Sequence, residues 1–356
     1  TMQTQRQLVD LSENKAIMNI DVLSFKRLAY RVFDELGITN LTVLEETGKN
    51  LVLRKLAAQE ADKLGVIGRN LNRIGYISEV KSLLSELVQY NISPEELGRY
   101  IASGRLSDAL SDKLKDVLVL YEAFEKFMQD KYITAEEILN VLSNVAEESA
   151  ILRNSVIAFD EFTGFTPIQN QLIKKLFVIS KKIYVTLTID CREDIFKSRG
   201  MQELFDMPKR TVKSLTEMAA FYGIEVEEPI ILDKNYRLAE NEELSFMEQQ
   251  LFRKRRRSFK KVPKHIHIDC LRDPKQELTK IARRINELVR NENLRYRDIA
   301  IVTGDVNIYA GYVREIFDKY NIPYFIDATQ EILFHPFIEF IRSIPDIAAQ
   351  NFSADA

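Results

Sequence analysis

Two adjacent carboxylates, Asp160 and Glu161, end a short apolar run in the stretch I-A-F-D-E-F-T-G-F-T-P-I-Q, residues 157–169. Eight residues beyond the second comes an amide, Gln169. Carboxylates at the carboxyl end of a buried parallel strand sit where open α/β sheets hold phosphates and Mg²⁺. Mg²⁺ is commonly held by one or two carboxylates together with substrate phosphates, which leaves a neighbouring carboxylate to orient water. A plainer reading fits the same letters: a strand followed by a helix whose first turn favours negative charge. Companion segments in a fixed order favour the chemical reading.

The first companion is V-L-S-F-K-R-L-A-Y-R (22–31), where Ser24 and Phe25 mark a strand-to-helix junction followed by Lys26 and Arg27. Helix N-termini bind phosphate through free N–H groups, and basic side chains strengthen the effect. L-T-I-D-C-R-E-D-I-F (187–196) carries Glu193 after a second buried strand. L-D-K-N-Y-R (232–237) places Arg237 just past a strand end, within reach of a nucleotide phosphate. R-Y-R-D-I-A-I-V-T-G-D (295–305) opens a further sheet.

Positioning these residues requires strands and helices in alternation. Residues 18–24 read as a strand, and a helix follows with Phe25, Leu28, Ala29, Val32, Phe33 and Leu36 at helical spacing until Gly37 stops it. From 38 to 150 the pattern is helical. Ser93-Pro94-Glu95-Glu96 is a helix start, and Leu114, Val117, Leu118, Tyr121, Phe124, Phe127 and Met128 form one apolar stripe, read as internal core. Strand signals at 155–159, 183–189 and 229–232 alternate with helices, which argues for a parallel sheet covered by helices. A second β-α-β-α-β unit follows, with strands at 265–271, 299–302 and 323–326 and helices at 275–290 and 308–320. His265 and His267 share a face of the first of these strands and are read as surface residues, since no third metal ligand is in view.

Composition narrows the class. Hydrophobic residues make up 46% and charged residues 29%, the balance of an ordinary globular protein. No apolar run approaches the roughly 18 residues of a membrane span. Thr1 to Lys15 are polar and lack the apolar region of a signal peptide. Cys191 and Cys270 form no CxxC pair, so neither a disulfide framework nor a zinc site is expected, and a cytoplasmic location is. Only 12 glycines among 356 residues lean the chain towards helix. The net charge of −3 rules out a general polycation, so nucleic-acid binding must come from local patches. The obvious patch is Arg253 to Arg257, extended by Lys260, Lys261 and Lys264, either a solvated linker or a phosphate-contacting surface that includes Arg255 and Arg256.

In this order the segments resemble superfamily 1 DNA helicases of the UvrD/Rep type. D-E-F-T-G-F-T-P-I-Q is similar to their D-E-x-Q-D-x-x-x-x-Q, V-L-S-F-K-R-L-A to the T-F-H-x-L-A element that touches single-stranded DNA, I-D-C-R-E-D-I-F to G-D-x-x-Q-S-I-Y, and L-D-K-N-Y-R to L-x-x-N-Y-R. Within that superfamily the wording resembles the AddB/RexB family, the B subunits of bacterial ATP-dependent helicase-nucleases. D-x-F-T-G-F-T-P-x-Q, L-S-F-x-R-L-A, R-Y-R-D-I-A-I-V-T-G-D and the closing I-P-Y-F-I-D…H-P-F-I-E-F-I (322–341) carry the likeness over nearly the whole chain.

The resemblance implies an α/β fold: a RecA-like (P-loop NTPase) parallel sheet domain over 1–37 and 151–252, with an all-helical insertion over 38–150. A basic linker over 253–263 and part of a second RecA-like domain over 264–356 complete it. It implies a role in double-strand break end processing and recombinational repair, with binding of single-stranded DNA and duplex ends beside an AddA-type subunit in a heterodimer. Asp160 would hold Mg²⁺, Glu161 would activate water, Gln169, Glu193 and Arg237 would face the nucleotide, and Ser24, Phe25, Lys26 and Arg27 would face DNA. Two departures stand out. No G-x-x-x-x-G-K-[ST] is present, and Gly48-Lys49 lacks its upstream glycine, so ATP and Mg²⁺ are expected only of a full-length protein, and this sequence alone is expected to be inactive. Glu193 also stands where the family has glutamine. The sequence thus reads as a fragment that begins after the phosphate loop, with the family's nuclease domain and iron–sulfur cluster beyond residue 356. The alternative is a non-enzymatic scaffold with decayed motifs that reads DNA and docks a partner.

Overall fold

The structure, a computed structural model, describes residues 2–66, 68, 74–104, 106–129, 131–252, 257–327, 332 and 335–352. The chain divides into two compact units, Thr1–Lys234 and Asn235–Ala356.

In the first unit, α1 (Met2–Leu11) buries no residue. The predicted strand at 18–24 is not formed; among the described residues this stretch has no ladder partner, and it leads directly into α2 (Phe25–Leu36). The start and stop of α2 are those its letters encode. The Ser24 hydroxyl accepts from the Arg27 N–H, and Gly37 takes the left-handed conformation (φ 68°) that lets the Ile38 N–H close back on the Phe33 carbonyl.

Four helices follow β1 (Val43–Leu44): α3 (Glu46–Gln59), α4 (Ile74–Gln89), α5 (Pro94–Ala102) and α6 (Asp108–Met128). The predicted cap at Ser93 is present, its hydroxyl accepting from the Glu96 N–H. The α6 stripe is core: Val117, Leu120, Tyr121, Phe124 and Met128 are buried against Leu53, Leu56, Ile77 and Leu84. The chain then returns through β2 (Ile133–Thr134), α7 (Ile138–Val145) and α8 (Ala150–Asn154) to β3 (Val156–Phe159), α9 (Pro167–Ile179), β4 (Lys182–Val185) and α10 (Asp206–Phe221). α2, α7, α9 and α10 bury Val32, Phe33, Leu142, Leu172, Leu176 and Leu215 in a second core with Phe159 of β3.

The boundary between the two cores differs from the expectation of an unbroken helical stretch over 38–150. β1 and β2 pair in parallel, Val43 with Ile133 and Leu44 with Thr134. Successive side chains of a strand point to opposite faces, so Val43 and Ile133 pack on the second core while Leu44 packs on the first. α7 belongs to the second core, although its letters read as a continuation of the helical stretch.

Among the described residues, ladders form two two-stranded parallel sheets, β1–β2 and β3–β4. The strand expected at 229–232 has no ladder among the described residues, with Ile230 82% and Leu232 88% exposed. A strand exists only through a neighbour's hydrogen bonds, and apolar alternation cannot supply that neighbour.

In the second unit α11 (Glu242–Gln250), α12 (Pro274–Asn291), α13 (Val306–Lys319) and α14 (Pro336–Ala349) are formed. α12 and α13 pack through Leu278, Ala282, Ile285, Ile316 and Phe317, capped by Asp273 and Asp305. Among the described residues the strands expected at 265–271, 299–302 and 323–326 form no ladders, and Val302 and Phe325 are 91% and 88% exposed. Among the described residues no helix is long and apolar enough to cross a membrane.

Candidate functional site

The carboxylate pair lies where the apolar run predicted, directly after β3. Register explains its surroundings. β3 and β4 pair in parallel with Phe159 opposite Val185, so the residues that follow, Asp160 and Thr186, leave the sheet side by side. The Thr186 N–H donates to the Phe159 carbonyl, and its hydroxyl donates to Asp160 Oδ1 at 2.5 Å. The Glu161 N–H in turn donates to Thr186 Oγ1 at 3.2 Å. Thr186 therefore fixes the pair, and sequence reading missed it, because only the strand register brings position 186 to position 160.

Asp160 and Glu161 are both exposed, and Glu161 holds a left-handed backbone (φ 63°), unusual for a residue with a side chain. Such outliers persist where surrounding structure over-determines them. Here the next residues supply that constraint. Phe162 and Phe165 stack 5.0 Å apart, Phe165 meets Phe159 edge-on at 5.5 Å, and Thr211 of α10 donates its hydroxyl to the Thr163 carbonyl at 2.8 Å.

The acidic pair is not a helix cap. α9 begins six residues after Glu161, at Pro167, and Thr166 and Gln169 form its capping box: Gln169 Oε1 accepts from the Thr166 N–H, and Thr166 Oγ1 from the Gln169 N–H. The residue expected to face a nucleotide thus closes the first turn of its own helix. Glu193 is likewise engaged. It lies 2.7 Å from the Lys209 ammonium, whose side chain is only 3% exposed and which also meets Glu203 at 3.2 Å. The Glu193 hydrogen bond, aided by Glu203, outweighs desolvation and raises the Lys209 pKa. Lys209 had no signal in the sequence, being one cation among several on an amphipathic helix.

At the other junction, Ser24 is occupied as the α2 cap, while Lys26 and Arg27 are exposed. Phe25 is half-buried, stacked on Phe159 at 5.8 Å and edge-on to Phe162 at 5.6 Å. Its ring therefore helps hold the carboxylate loop. Arg237 is exposed in a single 3-10 turn (Tyr236–Leu238) of the second unit. Arg255 and Arg256 lie outside the described residues, while Arg257, next to them, is exposed. Lys49, beside Gly48, is buried: its ammonium meets Glu136 at 2.7 Å and Glu46 at 2.9 Å. It is a root of the helical core rather than a phosphate ligand.

A cleft of about 400 Å³ opens beside the loop, lined by Thr163, Phe165, Asn170, Arg210, Ser214 and, from the end of α4, Tyr90. Asp160 and Glu161 do not line it. Asp160, an exposed carboxylate oriented by a hydroxyl, has the chemistry of a Mg²⁺ ligand. The cradle for a polyphosphate has no counterpart in the sequence, and Gln169 and Glu193 are committed elsewhere. The described residues therefore fit one ligand of a Mg²⁺ ion and not a complete nucleotide site.

Comparison with known proteins accords with the strand-end motifs. The family described as "ADDB, N-terminal" matches residues 1–248. The chain is 37% identical to the B subunit of the ATP-dependent helicase/deoxyribonuclease of Lachnoclostridium phytofermentans, over 100% of its own length and 31% of that protein's. It is 33% identical to the protein of the same name from Caldanaerobacter subterraneus subsp. tengcongensis, over 100% of its length and 30% of the relative's. With the corresponding Clostridium tetani protein the identity is 31%, over 100% and 31%. The chain thus spans about a third of the length of the curated relatives it matches. With a family match across most of its length and relatives of one name along all of it, the chain belongs to the AddB family.

Proposed function

We propose that this chain is the helicase-like portion of the B subunit of an ATP-dependent helicase/deoxyribonuclease, acting in the processing of double-strand DNA ends for recombinational repair. The observation that carries this reading is the match along the whole chain to relatives of that name. In it, the protein works in the cytoplasm, an AddA-type subunit is the partner, and single-stranded DNA and duplex ends are the ligands. On this reading, 1–37 and 151–252 form a RecA-like domain, 38–150 is its helical insertion, and 264–356 begins a second RecA-like domain. Lys26 and Arg27, two exposed cations at the start of α2, contact DNA phosphates. ATP and Mg²⁺ belong to the full-length protein, where Asp160 would be the Mg²⁺ ligand and Mg²⁺ would neutralise phosphate charge. The family's iron–sulfur cluster would likewise belong to parts outside this sequence.

The test is DNA binding by the full-length protein assembled with its partner. Replacing Lys26 and Arg27 together by Ala should weaken binding to single strands and lower the salt slope by about 2. An unchanged slope would remove these residues from the DNA path.

A second reading, a scaffold with decayed motor motifs, is favoured by one observation: Gln169 and Glu193 are held in a helix cap and an ion pair. It predicts that Glu161→Gln leaves the ATPase rate of the assembled complex unchanged, whereas a working site in this protein predicts a loss.

A further inference from the structure

The second unit carries an apolar pocket that none of the motifs above uses. It has a volume of about 280 Å³ and lies between α11 and the chain that follows, with Phe246, Met247, Leu251, Phe259, Pro263 and Ile266 in its wall. Ligand pockets commonly run from ~300 to 1,000 Å³, so this one suits one or two large side chains rather than a cofactor. Phe246 and Phe259 form its frame, ring against ring at 5.2 Å, and Met247 and Leu251 stand 42% and 52% exposed at the mouth.

The surroundings of the pocket are cationic. From 257 to 264 the chain has four Lys or Arg residues and no Asp or Glu. Arg257 is part of the wall, and Lys260 and Lys264 follow on the same stretch of chain, all exposed. Among the described residues no carboxylate lies within ion-pair distance of these three, whereas the neighbouring Lys261 is paired with Glu242 at 2.6 Å. The acidic group of the wall, Glu243, is already committed. Its carboxylate accepts from the Lys264 and His265 N–H groups at 2.7 and 2.8 Å, and the His265 bond leads in holding its pKa below the ordinary value. That bond ties the far side of the pocket to α11.

We infer that this pocket is a docking site for an acidic peptide segment of a protein partner, which inserts a large apolar side chain between Phe246, Met247 and Leu251 and sets its carboxylates against Arg257, Lys260 and Lys264. Charge complementarity selects an acidic partner, and the apolar wall selects a peptide over nucleic acid. Single strands bind by stacking bases on open aromatic faces. Here the two wall rings pack on each other at 5.2 Å, and the open apolar residues of the wall are Met247 and Leu251.

Fluorescence anisotropy of the full chain with a labelled peptide of Asp and Glu ending in Leu-Phe tests this, with the same peptide ending in Ser-Ser and an oligothymidine as comparisons. Burying one large apolar side chain is worth a factor of about ten or more in Kd. The Ser-Ser peptide should therefore bind at least about tenfold more weakly. Met247→Glu and Leu251→Glu, at exposed positions that leave the fold intact by circular dichroism, should cost as much. Lys260→Glu with Lys264→Glu should weaken binding and flatten its salt dependence. The inference is overturned if the acidic peptide does not bind, or if it binds equally well with Ser-Ser or to Met247→Glu, which would mean charge alone. It is also overturned if only the oligothymidine binds and the same variants abolish that binding.

Discussion

The four-helix core and the carboxylate strand end of the first unit were built by opposite means. In the helical core most backbone groups are satisfied within their own helix, so an apolar stripe such as that of α6 needs only a complementary surface, and Phe124 ends 5% exposed. At the strand end nothing is local. Asp160 is held by Thr186 from just past β4, Phe25 from α2 packs against the loop, and Thr211 from α10 anchors it. The comparison shows why the apolar stripe of a helix was legible from sequence while the contacts that hold the strand end were not.

The largest expected break in this contrast is Phe124→Ala. Removing a buried aromatic side chain should cost about 3–5 kcal/mol, read as a fall in Tm of the chain. If stability held but assembly with the partner protein failed, the α6 stripe would be an interface.

Next comes the buried ion pair at the root of the helical core. Lys49 and Glu136 have side chains 3% and 11% exposed, so Lys49→Met leaves a desolvated carboxylate and should cost about 3 kcal/mol. The double variant Lys49→Met with Glu136→Leu should recover most of it. The pair also predicts an acid limb. Desolvation works to raise the Glu136 pKa, but the Lys49 hydrogen bond prevails and the net shift is downward. A carboxyl with a lowered folded pKa stabilises above its unfolded value, about 4.3, and that stability is lost as pH falls through the folded value. Wild type should therefore lose stability below about pH 4 more steeply than the double variant, as measured by chemical denaturation.

Lys209→Met should give a smaller loss than Lys49→Met, because Glu193 and Glu203 keep 30% and 17% of their side-chain surface in water. Lys209 has a raised pKa, so its contribution is complete below about 10.4 and is lost as pH rises through the folded value. The single variant should flatten the alkaline limb. If it instead created nucleotide binding or changed ATPase activity in the assembled complex, Glu193 would belong to the nucleotide site.

The smallest effect is expected at Glu161. Glycine there relieves a left-handed backbone worth roughly 1–2 kcal/mol but frees the unfolded chain by about 0.5–1 kcal/mol. Glu161→Gly should therefore leave the denaturation midpoint unchanged or slightly raised. A clear loss would mean that the carboxylate itself holds structure.

How much was legible follows from these cases. The cap at Ser93, the stop at Gly37, the α6 core stripe, and helices α12 and α13 were written in spacing and capping residues, whose interactions reach only a few positions along the chain. Ser24, read as a DNA-facing residue, is instead the cap of α2. β3 and the strand-end place of Asp160 and Glu161 were legible from an apolar run and its stop. The strands expected at 18–24, 229–232, 265–271, 299–302 and 323–326 failed together, because the pattern records which faces are apolar and says nothing of a hydrogen-bonding neighbour.

By itself the sequence determined the family, the positions of its long helices and the chemistry present at residues 157–169, because these depend on residue type and short spacing. The tertiary structure alone decided which of those groups are in use. Register placed Thr186 against Asp160, packing turned Phe25 inward, and burial converted Lys49 and Lys209 into ion-pair centres. Each of these is a contact between residues far apart in the chain, and such contacts leave no periodicity for a single sequence to display.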